Sequence, residues 1–243
     1  MCIRDREYTL ATHFYKNQTD KLMISIHGYL DNCGYMIHIN KYLWDKGYSI
    51  LCIELPGHGL SSGERGEVDS FKTYSKIIGS IPKKYFKSFN KVNFLAHSTG
   101  AVPLLSHLRE HKSHPFDKII LLSPLVRSKL WYPSIALHSI LKYFVDSIPR
   151  TSKDNPSYKR FLEVMNTDPH YISFMSLKWF EKLRAWNQEL DNSPVKLELK
   201  LNIFFSNNDE VIDVNYNSSF YKRYFPKSKT IFLKNALHHM DYD

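Results

Sequence analysis

The chain has 243 residues, 43% hydrophobic and 23% charged, a balance that suits one globular domain with room for an insertion. Its net charge of +9 comes from scattered Lys and Arg with no dense block, which argues against a nucleic-acid partner and leaves a solvated basic surface or attraction to an anionic lipid surface. No run of 18 apolar residues predicts a membrane span, and an odd count of three cysteines (Cys2, Cys33, Cys52) argues against a disulfide framework and fits a reducing, cytoplasmic compartment.

Met1-Cys-Ile-Arg-Asp-Arg6 reads as a translated sequencing-adapter remnant, and Arg4-Asp-Arg-Glu7 interrupts any signal peptide, so the natural N-terminus is expected to be missing. Tyr8 to Tyr15 alternates and is β-rich, which predicts a strand at a sheet edge. Lys21–Ile26 is a short apolar strand leading into the loop His27-Gly-Tyr-Leu-Asp-Asn-Cys-Gly34, followed by a helical pattern from Tyr35 to Asp45. Tyr48–Ile53 is a buried strand, and Glu54 to Gly63 is a polar loop rich in turn residues. A helix is predicted over roughly Ser70–Gly79, then a strand over Val92–Ala96, a helix to His111 and a strand over Lys118–Ser123.

Strands alternating with helices at this spacing predict a mostly parallel sheet with helices on both faces and a site beyond the C-terminal strand ends. The alternation stops at Pro124. From Leu125 to about Pro194 no clear strand is visible, and Leu130–Ile148 and Ile172–Leu190 have helical spacing. The expected division is therefore a core of residues 1–124 and 195–243, with 125–194 a helical cap inserted after the sixth strand. Leu197–Phe205 resumes as a strand, Val214–Phe225 as a helix and Thr230–Leu233 as a last strand. The helix that would follow is absent, so the C-terminus is also expected to be cut.

One stretch organises the rest. Lys91 to Ala96 is a strand, His97-Ser-Thr-Gly100 a turn, and a helical pattern follows. A serine on a sharp strand-to-helix turn is a nucleophile elbow, which lifts the hydroxyl clear of the sheet and points helix N–H groups at a reacting carbonyl. The pattern needs small residues on both sides of Ser98. Gly100 supplies one, while Ala96 stands where glycine is usual. A base and an orienting acid should follow in the order Ser, Asp or Glu, His. Asp209 and His238 each follow a late strand in that order, with Glu210, Asp213 and His239 as neighbours.

With these residues the chain resembles the monoacylglycerol lipase and lysophospholipase branch of the α/β-hydrolases, also described as serine aminopeptidase-like. The matching segments are His27–Tyr35, Leu55–Gly63 with Arg65-Gly66 and Val68–Phe71, Ala96–Gly100, Ser123-Pro124, Asp168-Pro169 and Lys234–His238. Some bacterial lysophospholipases share alanine at the first elbow position. The resemblance implies an α/β-hydrolase fold, Ser98 as nucleophile, His238 as general base rather than His239, Asp209 as orienting acid rather than Asp213 or Glu210, and backbone N–H groups of Tyr29 and Thr99 as the oxyanion hole. It implies acylation of Ser98, hydrolysis by water and no cofactor, with a small acyl ester or single-acyl lipid as substrate. The aromatic residues of 125–194 and the basic surface suit a long acyl chain presented at a membrane, with peripheral membrane contact.

Two other classes compete. His107-Leu-Arg-Glu-His111, with His114 nearby, fits an inverted zinc-peptidase motif, although a solvated helix end explains it as well. A hydrolase fold kept as a non-catalytic ligand binder is the other, alongside a different acyl hydrolase or peptidase of the same fold.

Overall fold

Apolar runs buried along nearly their whole length mark strands covered on both faces, and they assemble here into one mixed sheet. The computed structural model describes residues 2–4, 8–150, 159–192, 196–240 and 242. The expected boundary at 194/195 and Met1, Asp5 and Arg6 of the adapter-like start lie outside them. The sheet strands are β1 (Cys2–Arg4), β2 (Thr9–Tyr15), β3 (Lys21–Ile26), β4 (Ser49–Ile53), β5 (Lys91–His97), β6 (Ile119–Leu122), β9 (Leu201–Ser206) and β10 (Lys229–Leu233). Their order is β1-β2-β4-β3-β5-β6-β9-β10. The pairs from β4 to β10 are parallel, while β1 and β2 join antiparallel. The strand at Thr9–Tyr15 is therefore not the edge, because Cys2–Arg4 pairs outside it.

Side chains alternate across each strand, and the two faces bury different partners. Leu22, Ile24, Ile26, Leu51, Ile53, Phe94 and Ala96 point into a large apolar cluster with Phe71, Tyr74, Leu104, Trp179 and Trp186. Met23, Ile50 and Leu95 point the other way, onto Met36 and Leu43. The first face is covered by α2 (Phe71–Ser80) and α4 (Val102–His111), and the second by α1 (Ile37–Asp45). The helix predicted from Tyr35 begins as a 3-10 turn, Cys33–Met36, capped by Asn32 Oδ1 on the Gly34 N–H. The basic continuation of α2 is a separate helix, α3 (Lys83–Ser88), set off by Pro82.

Between β6 and β9 lie α5 (Trp131–Leu141), β7 (Ser147–Pro149), α6 (Lys159–Thr167), β8 (Phe174–Ser176) and α7 (Leu177–Asn192). Strands are thus present where none was expected, since β7 and β8 pair antiparallel and shorten both predicted helices. The α7 helix places Trp179, Leu183 and Trp186 in the main core beside α2. The chain closes with α8 (Val214–Tyr224) and β10.

The cysteine reading needs correction. Cys33 and Cys52 are joined as a disulfide, with their Cα atoms 5.9 Å apart. The bond ties the loop after β3 to the interior of β4, a juxtaposition set by strand pairing and invisible in cysteine spacing.

Candidate active site

The parallel strands end on one side, and their loops converge there. The β5 strand delivers Ser98, whose φ of +50° lies in the left-handed region that a non-glycine residue occupies only under constraint. Gly100 supplies that constraint, because a Cβ there would sit 2.4 Å from the Ile26 carbonyl oxygen and 2.6 Å from that of His27. Only glycine lets the turn press against β3. Ala96 is fully buried within paired strand, where its methyl group is part of the core. Gly100 is thus a steric requirement of the turn, while Ala96 packs its methyl group in the core.

The β9 and β10 loops deliver Asp209 and His238. Their side chains meet at 2.7 Å, Nδ1 to Oδ2, and both are buried. Asp209 is held from four directions. Oδ2 also accepts the Ser123 hydroxyl at 2.8 Å, and Oδ1 accepts the N–H groups of Val211 and Ile212 at 2.8 and 3.0 Å. Burial by itself raises the carboxyl pKa, but the charge and hydrogen bond of His238 and the two N–H groups outweigh it and hold the group well below the ordinary carboxylate range. An ionised Asp209 fixes the proton on His238 Nδ1 and leaves the Nε2 lone pair available.

Ser98, Thr99, Gly28, Tyr29 and His238 line one cavity of about 380 Å³. Among the described residues, no acceptor is paired with the backbone N–H of Tyr29 or Thr99, whereas the next N–H, of Leu30, donates to His58 Nε2 at 3.0 Å. The loop that carries Tyr29 is fastened by two buried histidines. His58 Nδ1 donates to the Pro56 carbonyl at 2.7 Å, while His27 Nδ1 donates to that of Gly28 and its Nε2 accepts the Leu55 N–H. Each nitrogen is committed in the neutral tautomer. Burial, reinforced by neighbouring His27, pulls the His58 pKa down to about 3. The Tyr29 hydroxyl donates to the Gly66 carbonyl and accepts the Ser176 N–H, and its ring stacks on Trp179 at 3.7 Å.

The family model for serine aminopeptidase, S33, matches residues 17–241. The chain belongs to that family. A similar relative is phospholipase YtpA of Bacillus subtilis, 23% identical over 203 residues, 79% of this chain and 77% of the relative. Monoglyceride lipase of Rattus norvegicus is 26% identical over 125 residues, 50% of this chain and 41% of the relative. Among solved structures, the monoacylglycerol lipase of Paleococcus ferrophilus has a TM-score of 0.75 at 17% identity, covering 94% of this chain and 90% of that one. A soluble variant of Saccharomyces cerevisiae monoglyceride lipase has a TM-score of 0.76 at 15% identity, covering 98% and 86%. The fold is that of the α/β-hydrolases.

Within this family frame the rival residues have other partners. Asp213 caps α8 by accepting the Tyr216 N–H at 2.9 Å. The Nδ1 of His239 faces Asp31, not Asp209. Glu210 is exposed at the cavity wall. In the H-x-x-E-H stretch, Glu110 accepts the Ser75 hydroxyl, and the His107 and His111 rings lie 4.4 Å apart at the end of α4. Sequence reasoning missed Ser123 as a partner of Asp209, although its place at the end of β6 was a signal. It also missed Arg150, which donates to the Leu30 carbonyl and to Asp31 Oδ1 from across the fold.

Proposed function

We propose that the protein is a serine ester hydrolase that cleaves a single-acyl lipid, a monoacylglycerol or a lysophospholipid, through an acyl-enzyme on Ser98. The buried 2.7 Å contact of His238 with Asp209, at a cavity that also holds a strained Ser98, carries this reading. His238 Nε2 takes the Ser98 proton as Oγ attacks the ester carbonyl, and the N–H groups of Tyr29 and Thr99 receive the developing oxyanion. The imidazolium returns the proton to the leaving alcohol. Water then attacks the acyl-enzyme with His238 again as base. No step calls for a cofactor.

The cavity wall supports an acyl chain. Leu125, Leu137, Leu141, Ile148, Met175 and Phe180 supply apolar surface, all of it from residues 125–194, which serve as a cap. Around the same segment Ile140, Tyr143 and Phe144 are 61%, 76% and 78% exposed, with Lys129 and Lys142 close in sequence. An exposed apolar rim beside cations supports peripheral contact with a lipid surface. No helix among the described residues is long and apolar enough to cross a membrane. The relatives named phospholipase and monoglyceride lipase point to the same substrate class.

The test is labelling with a fluorophosphonate probe, followed by turnover of monoacylglycerols and lysophospholipids. Labelling is expected in the wild type and absent from Ser98→Ala and His238→Ala. A folded wild type that neither labels nor turns over any of these esters would overturn the proposal in favour of a non-catalytic binder.

A further inference from the structure

Beside the Asp209–His238 pair lies a second buried group that ester hydrolysis does not use. Asp31 Oδ2 is 3.9 Å from His97 Nδ1 and 3.8 Å from His239 Nδ1, and the three atoms lie within 4.8 Å of one another. All three residues are buried. These separations are too long for hydrogen bonds. The tautomer of His97 sharpens the point. Its Nε2 lies 3.0 Å from the His238 carbonyl oxygen, which can only accept, so that nitrogen carries the proton. A neutral His97 then turns the Nδ1 lone pair toward a carboxylate oxygen, acceptor against acceptor. Gly28 leaves the flank open, since a Cβ there would stand 3.0 Å from His97 Nδ1 and 3.1 Å from Asp31 Oδ2.

We infer that Asp31, His97 and His239 form a transition-metal site that takes Zn²⁺. Two imidazole nitrogens and one carboxylate oxygen are a zinc donor set, and a fourth position faces the cavity that Asp31 and His239 line. The bond from His97 Nε2 to a carbonyl is the outer contact that orients ligand histidines. Tetrahedral zinc with bonds of about 2.0–2.1 Å holds its ligand atoms about 3.4 Å apart, so modest side-chain rotation closes the site. Arg150, 3.1 Å from Asp31 Oδ1, opposes a cation and weakens its binding. The other such cluster among the described residues, His13, Cys33 and Glu54, has its sulfur in the disulfide. His97 precedes Ser98 and holds the His238 backbone, so filling the site shifts both and slows turnover.

Binding is read without substrate, so its outcome is independent of the ester-hydrolase proposal. The experiment is calorimetric titration of metal-free protein with zinc chloride. One equivalent is expected with a dissociation constant of about 10 µM. His239→Ala and Asp31→Asn should each weaken binding at least tenfold, while His238→Ala and the His107→Ala/His111→Ala double variant should retain it. Anomalous diffraction at the zinc edge from wild-type crystals, which needs no variant to fold, should place the ion between the three atoms. The proposal is overturned by folded wild type with no saturable binding below about 100 µM. It is equally overturned by unchanged affinity in His239→Ala, by loss in either control variant, or by an anomalous peak elsewhere.

Discussion

Two buried aspartates flank the histidines of this site, and they are held in opposite ways. Asp209 has both oxygens saturated by Ser123, His238 and two backbone N–H groups. Asp31 has Oδ1 on Arg150 and leaves Oδ2 at 3.8–3.9 Å from two imidazoles. A saturated carboxylate is a fixed charge that orients a base. An under-coordinated one beside imidazole nitrogens is a ligand. The difference comes from neighbours, since the residue type and burial are the same.

Loss of the fixed charge on Asp209 should have the largest effect. Asp209→Asn should lower kcat about 10⁴-fold, because the amide no longer holds His238 in the productive tautomer. Steady-state kinetics on an activated ester checks it, and a loss under tenfold would equate the two aspartates. Ser123→Ala removes one of four donors to Asp209 and should lower kcat about tenfold, with a stability loss of about 1.5–3 kcal/mol in urea unfolding. Asp31→Asn removes the charge that faces Arg150 and should lower kcat by about tenfold or less, because no bond to Asp209 or His238 is lost.

Acid sharpens the contrast more gently. The folded-state pKa of His58 lies near 3, below the ordinary 6.5, so the folded state binds fewer protons than the unfolded one between these values. Stability should therefore fall as pH drops from 6.5 toward 3, by up to about 1.4 kcal/mol per pH unit for that group. Asp209, with its pKa depressed, adds a separate loss only below its ordinary value of 3.8. Thermal melts across this range should show the upper limb flattened in His58→Gln and the lower limb flattened in Asp209→Asn.

Much of the fold was legible because parallel strands are buried on both faces and read as unbroken apolar runs, as Lys21–Ile26 and Val92–Ala96 do. The candidate residues Ser98, Asp209 and His238 stood out because each follows a predicted strand, although only the strand before Ser98 is an unbroken buried run and the one before His238, Lys229–Leu233, is half-exposed. What escaped notice was set by distant partners. Ser147–Pro149 and Phe174–Ser176 are three-residue strands whose only strand signal is each other. An alternating strand such as Thr9–Tyr15 looks the same at an edge or one place in from it. Arg150 reaches Leu30 across 120 residues of chain, and nothing local marks it.

The Tyr29–Trp179 stack has a practical consequence. Tyr29 lines the cavity, lays its ring on an indole of α7 and accepts the Ser176 N–H, so the loop after β3 and the segment that carries α7 share one mechanical joint. That joint contains a native chromophore. Stacking at 3.7 Å makes indole emission sensitive to any parting of the two rings. With Trp44, Trp131 and Trp186 replaced by Phe, the remaining fluorescence would report loop displacement in real time during a single turnover, with no dye attached.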